Sequence, residues 1–275
     1  MIDFHNHILP SADDGSVSMD MTLSMLRTAA NQGITEVVNT IHFQHPKVEG
    51  MDINYEGTLK LLNEVRAKVE AEGIPIKLHL GAEVFYLPNL MDLKDDPLCT
   101  YEHGKYMLIE FQVHQMPPNF ETLLFQLKMA GITPIIAHPE RYKPIQRDLA
   151  LLEKLIQSGC VIQIDAGSIC GSLGPSAKAA SLEILKKGYC HIIGSDAHDD
   201  RKRNFCLKEA VEIARHIVGN YVDEMVTTNP LKVIAGLPID TDIQLNFEQV
   251  RPSLFSRVKK RIFNQSSLLI YTLLR

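Results

Sequence analysis

His5 and His7 stand two residues apart near the start of the chain, and four short stretches further on carry His42, Glu83, Glu110 and His138. A fifth, Gly194-Ser195-Asp196-Ala197-His198, adds a carboxylate and another imidazole. On an extended strand alternate residues share a side, so His-x-His aims two imidazoles at one point. Imidazole mixed with carboxylate suits Zn, Mn or Fe rather than Ca. Eight or nine such groups exceed the needs of one ion, which implies two or three. The turn Asp13-Asp14-Gly15, just after the first pair, can add a carboxylate. Taken singly, each residue is as readily a packed histidine or a helix-capping aspartate; the whole set is not.

These side chains need a scaffold that gathers them. Short apolar, β-branched runs predict strands near 2–5, 35–41, 76–82, 105–111, 133–137, 161–165 and 191–194. Amphipathic stretches at 19–31, 54–72, 119–130, 148–158, 176–187 and 205–217 predict the helices between them. Gly33, Gly73, Gly131, Gly159 and Gly188 each follow a helical stretch and precede a strand, where a helix ends in a left-handed residue. Strand and helix in alternation imply a parallel sheet with helices outside it. The pattern alone leaves open whether the sheet closes into a barrel. The candidate ligands fall at strand ends: His5 and His7 on the first, His42 on the second, Glu83 on the third. Glu110 ends the fourth, His138 the fifth, and Asp196 and His198 the seventh. The C-terminal ends of parallel strands point to one face, where barrel active sites are built.

The remaining histidines (His45, His79, His103, His114, His191 and His216) read as surface or packed residues, His45 being the nearest to a candidate ligand. Asp165 ends the sixth strand and can either face the site or cap the turn at Gly167-Ser168. The five cysteines are scattered, with no C-x-x-C pair, as expected of reduced thiols in a cytoplasmic protein. Cysteine phosphatases carry an arginine six positions after the nucleophile. Here those positions hold Lys105, Ala166, Ser176, Asp196 and Glu212, so the thiols read as structural.

The net charge of −5 argues against a nucleic-acid binder. From Arg251 to Arg275 there are six basic residues and no acidic one, which leaves residues 1–250 at −11. This basic, apolar tail at 251–275 is expected either to lie on an anionic membrane or acidic partner, or to pack as a last helix on the domain at 1–250. No basic and apolar leader opens the chain, and no apolar run reaches the ~20 residues of a membrane span. Neither G-x-G-x-x-G nor a P-loop is present.

His5-Asn6-His7, Thr40-Ile41-His42, Gly81-x-Glu83, Ala137-His138-Pro139-Glu140-Arg141 and Ser195-Asp196-x-His198 together resemble the motifs of the polymerase-and-histidinol-phosphatase (PHP) superfamily. Asp13-Asp14-Gly15 and the His-Pro-Glu-Arg run resemble its bacterial manganese-dependent protein-tyrosine phosphatases encoded with capsule and exopolysaccharide genes. The match extends from residue 1 to about 235, through Thr228-Asn229-Pro230. It implies an α/β fold, a distorted seven-stranded (β/α) barrel of PHP type. It also implies a first ion on His5, His7, Glu83 and Asp196, a second on Glu83, Glu110 and His138, and a third on Asp14, His42 and His198. Manganese is the implied metal, with Fe, Zn or Mg as others. Arg141 and Arg203 correspond to arginines that contact phosphate, and the implied partner is a phosphotyrosine protein, a membrane-associated bacterial tyrosine kinase. The chain departs from the family at Thr40-Ile41-His42-Phe43, where Thr-Pro-His-His is common. It departs again at Arg201-Lys202-Arg203-Asn204, which leaves Arg201 as a competitor of Arg203.

Three divalent ions would bring +6 against −4 from Asp14, Glu83, Glu110 and Asp196, leaving about +2 for a hydroxide and a phosphate ester. A metal-bridging hydroxide would attack phosphorus in line, with Arg141 and Arg203 on the equatorial oxygens and Asp196 or His198 near the leaving oxygen. The alternative is a small-molecule phosphatase of the same superfamily, acting on histidinol phosphate or a sugar phosphate. An exonuclease module sits poorly with the acidic body. An amidohydrolase would bridge its metals with a lysine where this chain has Glu110. A metal-holding regulatory protein would not need the two arginines.

Overall fold

Every predicted strand forms, and each pairs parallel with the one before it, in the order β1 to β7. The computed structural model describes residues 1–241. The elements are β1 (Ile2–Asn6), α1 (Met19–Asn31), β2 (Glu36–Phe43), α2 (Tyr55–Ala71), β3 (Lys77–Phe85), β4 (Tyr106–Glu110), α3 (Phe120–Met129) and β5 (Thr133–Ile136). They continue with α4 (Lys143–Arg147), α5 (Ala150–Gln157), β6 (Val161–Asp165), α6 (Ala166–Cys170), α7 (Pro175–Lys187), β7 (Ile192–Gly194) and α8 (Leu207–Val218). The expected tail at 251–275 lies outside the described residues. Among the described residues no helix is long and apolar enough to cross a membrane.

Local chemistry sets the helix limits. Ser18 caps α1 by accepting from Met21 N, and Asn54 caps α2 by accepting from Gly57 N. The five glycines between helix and strand all take φ between 63° and 86°, a region that side chains with a Cβ avoid. Helix α8 buries Leu207, Ala210, Val211, Ala214 and Val218, one stripe at helical spacing. Each large apolar side chain so buried contributes roughly 1.5–3 kcal/mol.

The sheet closes from β7 back to β1. Asp196 N donates to His5 O at 2.7 Å, and His7 N donates to Ala197 O at 2.8 Å. Gly194 permits this approach, because a Cβ there would stand 2.7 Å from His5 Cβ. The barrel is distorted where pairing is short: β5 and β6 share two residue pairs, β6 and β7 three, and the β1–β2 register shifts between Asp3 and Asn6. The apolar interior is filled by Ile2, Phe4, Val38, Leu108, Ile135 and Ile192 among others, all on the N-terminal side of the candidate ligands of their strands.

Two differences from the sequence reading bear on the site. β2 and β3 run on to Phe43 and Phe85, so His42 and Glu83 face each other within a continuous ladder instead of ending it. Two short helices, α4 and α6, follow β5 and β6 where only connections were expected.

Candidate metal centre

Four buried donors form a compact cage at the barrel mouth. His5 Nε2 and His7 Nε2 lie 3.4 Å apart. Glu83 Oε2 is 3.3 Å from the first and 3.4 Å from the second, and Asp196 Oδ1 is 3.6 Å and 3.4 Å from them. Donors held ~2.1 Å from a tetrahedral ion stand about 3.4 Å from one another, close to each of these five separations. A second set surrounds the other oxygen of Glu83: His138 Nε2 lies 2.7 Å from Glu83 Oε1 and 3.7 Å from Glu110 Oε1. A third gathers around Asp14 Oδ1, with His42 Nε2 at 3.1 Å and His198 Nε2 at 3.5 Å. His42 joins the sets, because its Nδ1 sits 3.1 Å from Glu83 Oε2. All nine side chains expected as ligands thus meet in one place, in four overlapping groups of mutually close donors: His7, Asp14, His42 and His198; His5, His7 and Asp196; His5, Glu83 and His138; and His42, Glu83 and Glu110.

The backbone and the neighbouring side chains aim these donors. His138 and Asp196 take φ of 33° and 50°, strained conformations that turn their side chains into the mouth. Tautomers follow from the partners of the outer ring nitrogens. His5 Nδ1 meets Gln163 Oε1 at 3.0 Å, His7 Nδ1 meets Asp13 Oδ2 at 2.7 Å, and His198 Nδ1 meets Asp196 O at 2.9 Å. Each contact places the proton on Nδ1 and leaves the Nε2 lone pair free for an ion. Gly15 is required beside His7, since a Cβ there would come within 2.1 Å of His7 O.

Arg141 and Arg203 converge on the far oxygen of Asp196. Arg141 Nη1 and Arg203 Nη2 each donate to Oδ2 at 2.6 Å. Arg201 is 89% exposed on its side chain and pairs with Asp200 instead, so Arg203 is the site-facing member of that run. Asp165 faces the site, as one of its two expected roles had it, but as an anchor rather than an ion ligand. Its side chain makes no cap bond and belongs to no candidate ligand group; its Oδ2 anchors Arg141 at 3.2 Å.

Other participants are less visible in the sequence. Asp13 accepts from His7, from His42 N and from Gly15 N, which makes it a holder of ligands while its neighbour Asp14 faces the ion site. Gln163 lies within an apolar strand and gave no signal. His45, read as a bystander, stacks on His42 with ring centres 4.5 Å apart and sets Nε2 3.4 Å from Glu110 Oε2. His79 pairs with Glu36 and His103 with Val233 O, while His114 and His216 are exposed and His191 is packed inside.

The donor set fits divalent ions on two observations. Buried polar atoms without a hydrogen-bond partner cluster here: both ring nitrogens of His42, Glu83 Oε2, Glu110 Oε2, His138 Nδ1 and His198 Nε2. Such groups are costly unless something satisfies them. The electrostatics also call for cations. Burial works against a charged His5, yet Glu83 and Asp196 overcome it and raise the group to about 9. His7 is likewise raised well above its ordinary range, against burial, chiefly by Asp13. Glu83, despite burial, is driven well below the carboxylate range by His5 and His42, whereas burial and Glu83 push Glu110 up.

Comparison with known proteins agrees with this geometry. The sequence profile of the family described as capsular polysaccharide synthesis, CpsB/CapC, matches residues 1–235. The chain is 33% identical over 231 residues to the tyrosine-protein phosphatase YwqE of Bacillus subtilis, covering 83% of this chain and 89% of that protein. It is 33% identical over 210 residues to the putative tyrosine-protein phosphatase CapC of Staphylococcus aureus, covering 76% and 81%. Among solved structures, one from work on YwqE from Bacillus subtilis and CpsB from Streptococcus pneumoniae, described as unique metal-dependent tyrosine phosphatases, superposes with a TM-score of 0.79. The identity is 32%, over 87% of this chain and 96% of that one.

Proposed function

Because the chain belongs to the CpsB/CapC family of capsular polysaccharide synthesis proteins, we propose that its barrel mouth hydrolyses phosphotyrosine in proteins with two or three divalent ions, manganese first among them. It is a metal-dependent tyrosine-protein phosphatase. The observation that carries the reading is the meeting of eight buried donors and the more exposed Asp14 with two arginines on the carboxylate of Asp196. We assign His5, His7, Glu83 and Asp196 to the first ion, and Glu83, Glu110 and His138 to the second. Asp14, His42 and His198 hold the third.

Ions bound there supply Lewis acidity and activate water near neutral pH. The side chains do the rest. Arg141 and Arg203 keep N–H groups beyond those spent on Asp196, and guanidinium geometry matches phosphate oxygens. Asp196 is assigned to the first ion through Oδ1 and anchors both arginines through Oδ2, and as an ionised ligand it has no proton to supply. Burial favours its neutral form, but His198, His5 and Arg141 keep it well below the carboxylate range. His198 has its Nδ1 proton committed to Asp196 O and its Nε2 assigned to the third ion, which leaves it no proton to give. A phenolate leaves without much acid help, so an aryl phosphate does not require Asp196 or His198 to give a proton. The partner we propose is a membrane-associated bacterial tyrosine kinase. The test is turnover by the manganese-loaded protein of a phosphotyrosine peptide against histidinol phosphate, with metal counted by elemental analysis. Preference for histidinol phosphate would overturn the protein-substrate reading.

A further inference from the structure

Among the described residues, three of the hollows lie at loops that follow the strands. One, about 490 Å³, is lined by Tyr86, Pro117 and Leu123 and meets the centre through a backbone contact, Tyr86 N to Glu110 O at 2.8 Å. A second, about 200 Å³, mixes Leu173 and Phe205 with five charged side chains, Asp196, Arg201, Lys202, Arg203 and Glu209, and lies on the arginine side of the centre. The third, about 470 Å³, lies between the ends of β2 and β3 and is lined by Phe43, His45, Met51, Ile53, Phe85 and Leu87. We propose that this third groove seats the phenyl ring of the substrate's phosphotyrosine and so sets the enzyme's preference for aryl over alkyl phosphates. The inference rests on the phosphatase reading above.

The groove and the centre share a wall. The His45 ring stacks on His42 at 4.5 Å and 23°, sets Nε2 3.4 Å from Glu110 Oε2, and meets the edge of Phe85 at 4.8 Å. Lys47 N donates to His45 Nδ1 at 3.0 Å, so the neutral ring carries its proton on Nε2. A protonated ring nitrogen does not ligate a metal, which leaves His45 as the boundary between donors and groove. The two ends of the ester then find opposite sides of the mouth. Arg141 follows β5 and Arg203 follows β7, across the barrel from the groove at β2 and β3. A phenyl ring hangs from phosphorus through one oxygen, so an apolar surface that recognises it must adjoin the ions. Among the three hollows, this one combines an apolar lining with a side chain in contact with the donors. Met51 and Leu87 are 45% and 37% exposed, an apolar rim a bound ring would cover. Serine, threonine and sugar phosphates carry no group that fills it.

The test is calorimetric binding to the manganese-loaded full chain of phenylphosphonate, methylphosphonate and inorganic phosphate. Burying a phenyl ring is expected to make phenylphosphonate bind roughly tenfold or more tighter than methylphosphonate. Phe85→Ala and Leu87→Asn should cut that advantage to roughly threefold or less, with phosphate and methylphosphonate unchanged. Leu87 lies at the exposed rim, so its variant serves if Phe85→Ala does not fold. Equal affinity of the two phosphonates for the wild-type chain, or an advantage that persists in Leu87→Asn, would overturn the proposal while p-nitrophenyl phosphate turnover still upheld the phosphatase reading. Absence of both turnover and phosphate binding would sink that reading, and the groove assignment with it.

Discussion

Arg141 donates to Asp196 through Nη1 at 2.6 Å, and it does so on Oδ2, the oxygen opposite the one that faces His5 and His7. One carboxylate therefore ties the two arginines proposed to bind phosphate to the proposed ion cage. On the proposed assignment, a phosphate held by Arg141 and Arg203 would be positioned against ions whose place Asp196 also fixes. Asp165, on the neighbouring strand, holds Arg141 from a second side.

The division of labour can be tested at Arg141. Arg141→Ala removes donors to phosphate but no ligand, so metal content should stay at the wild-type value. The kcat/KM for p-nitrophenyl phosphate should fall by roughly 10- to 100-fold or more, the worth of lost hydrogen bonds to a charged group. Elemental analysis beside steady-state kinetics checks this. An Arg141→Ala protein that lost its metal would refute the separation of roles.

Glu83 should behave in the opposite way. Its two oxygens meet His5, His7 and His42 on one side and His138 on the other. Glu83→Ala is expected to lower the bound metal by at least one ion per chain and to abolish turnover, because two ions lose a shared ligand. Full metal content in this variant would remove Glu83 from the centre.

Asp13 offers a subtler case. It holds the His7 tautomer at 2.7 Å and touches no proposed ion. Loss of such a partner typically costs 10- to 100-fold in metal affinity. Asp13→Asn should therefore need roughly that much more manganese to reach half-maximal occupancy, measured by chelator competition, with a native circular dichroism spectrum. Unchanged affinity would show that Asp13 does no more than shape the turn.

The sequence carried the scaffold plainly, for reasons that are local. Runs such as Thr35–Ile41 and the glycine stops at 33, 73, 131, 159 and 188 are written within a few residues, and the ligands sit at their junctions. Closure of the sheet is not local. It depends on Asp196 N reaching His5 O, 191 positions away, and on the space left at Gly194. The same limit hid the supporting residues. Gln163 stands mid-strand among isoleucines, and its contact with His5 spans 158 residues. Asp13 and Asp14 are adjacent carboxylates on one turn, and the direction of each is set by His7 and by His42 with His198. His45 follows His42 by three residues, and the longer course of β2 is what brings its ring beside Glu110.

Thiol chemistry should be dispensable. Burial pushes the Cys160 thiol up to about 12 and raises Cys99 and Cys190 as well, leaving little thiolate at neutral pH. Chelation of the protein is expected to abolish p-nitrophenyl phosphate turnover and added manganese to restore it, whereas the small reagent methyl methanethiosulfonate should leave most activity. Loss of activity on thiol modification at unchanged metal content would point to a cysteine in the reaction.

The last prediction concerns pH and a histidine away from the centre. His191 is buried between β6 and β7, and its Nδ1 accepts from Ile162 N at 3.0 Å. Burial depresses its pKa to about 4, with weaker opposition from Thr241 and Asp240. In the unfolded chain the group returns to about 6.5. The unfolded state therefore takes up a proton below pH 6.5 that the folded state refuses until about pH 4. Stability from the neutral, buried ring is fully present above 6.5 and is lost as pH falls through that window. A gap of about 2.5 pH units corresponds to about 3 kcal/mol. Asp3, raised by burial to about 7, acts with the opposite sign: its contribution is present below 3.8 and is lost as pH rises through 7. Both chains of a comparison between wild type and His191→Gln share it, as they share the ligand histidines, so it cancels in the difference. Chemical denaturation of the two metal-free proteins from pH 7.5 to pH 4 should show the wild type losing about 3 kcal/mol more than the variant. Parallel stability curves across that range would show that His191 does not titrate with folding.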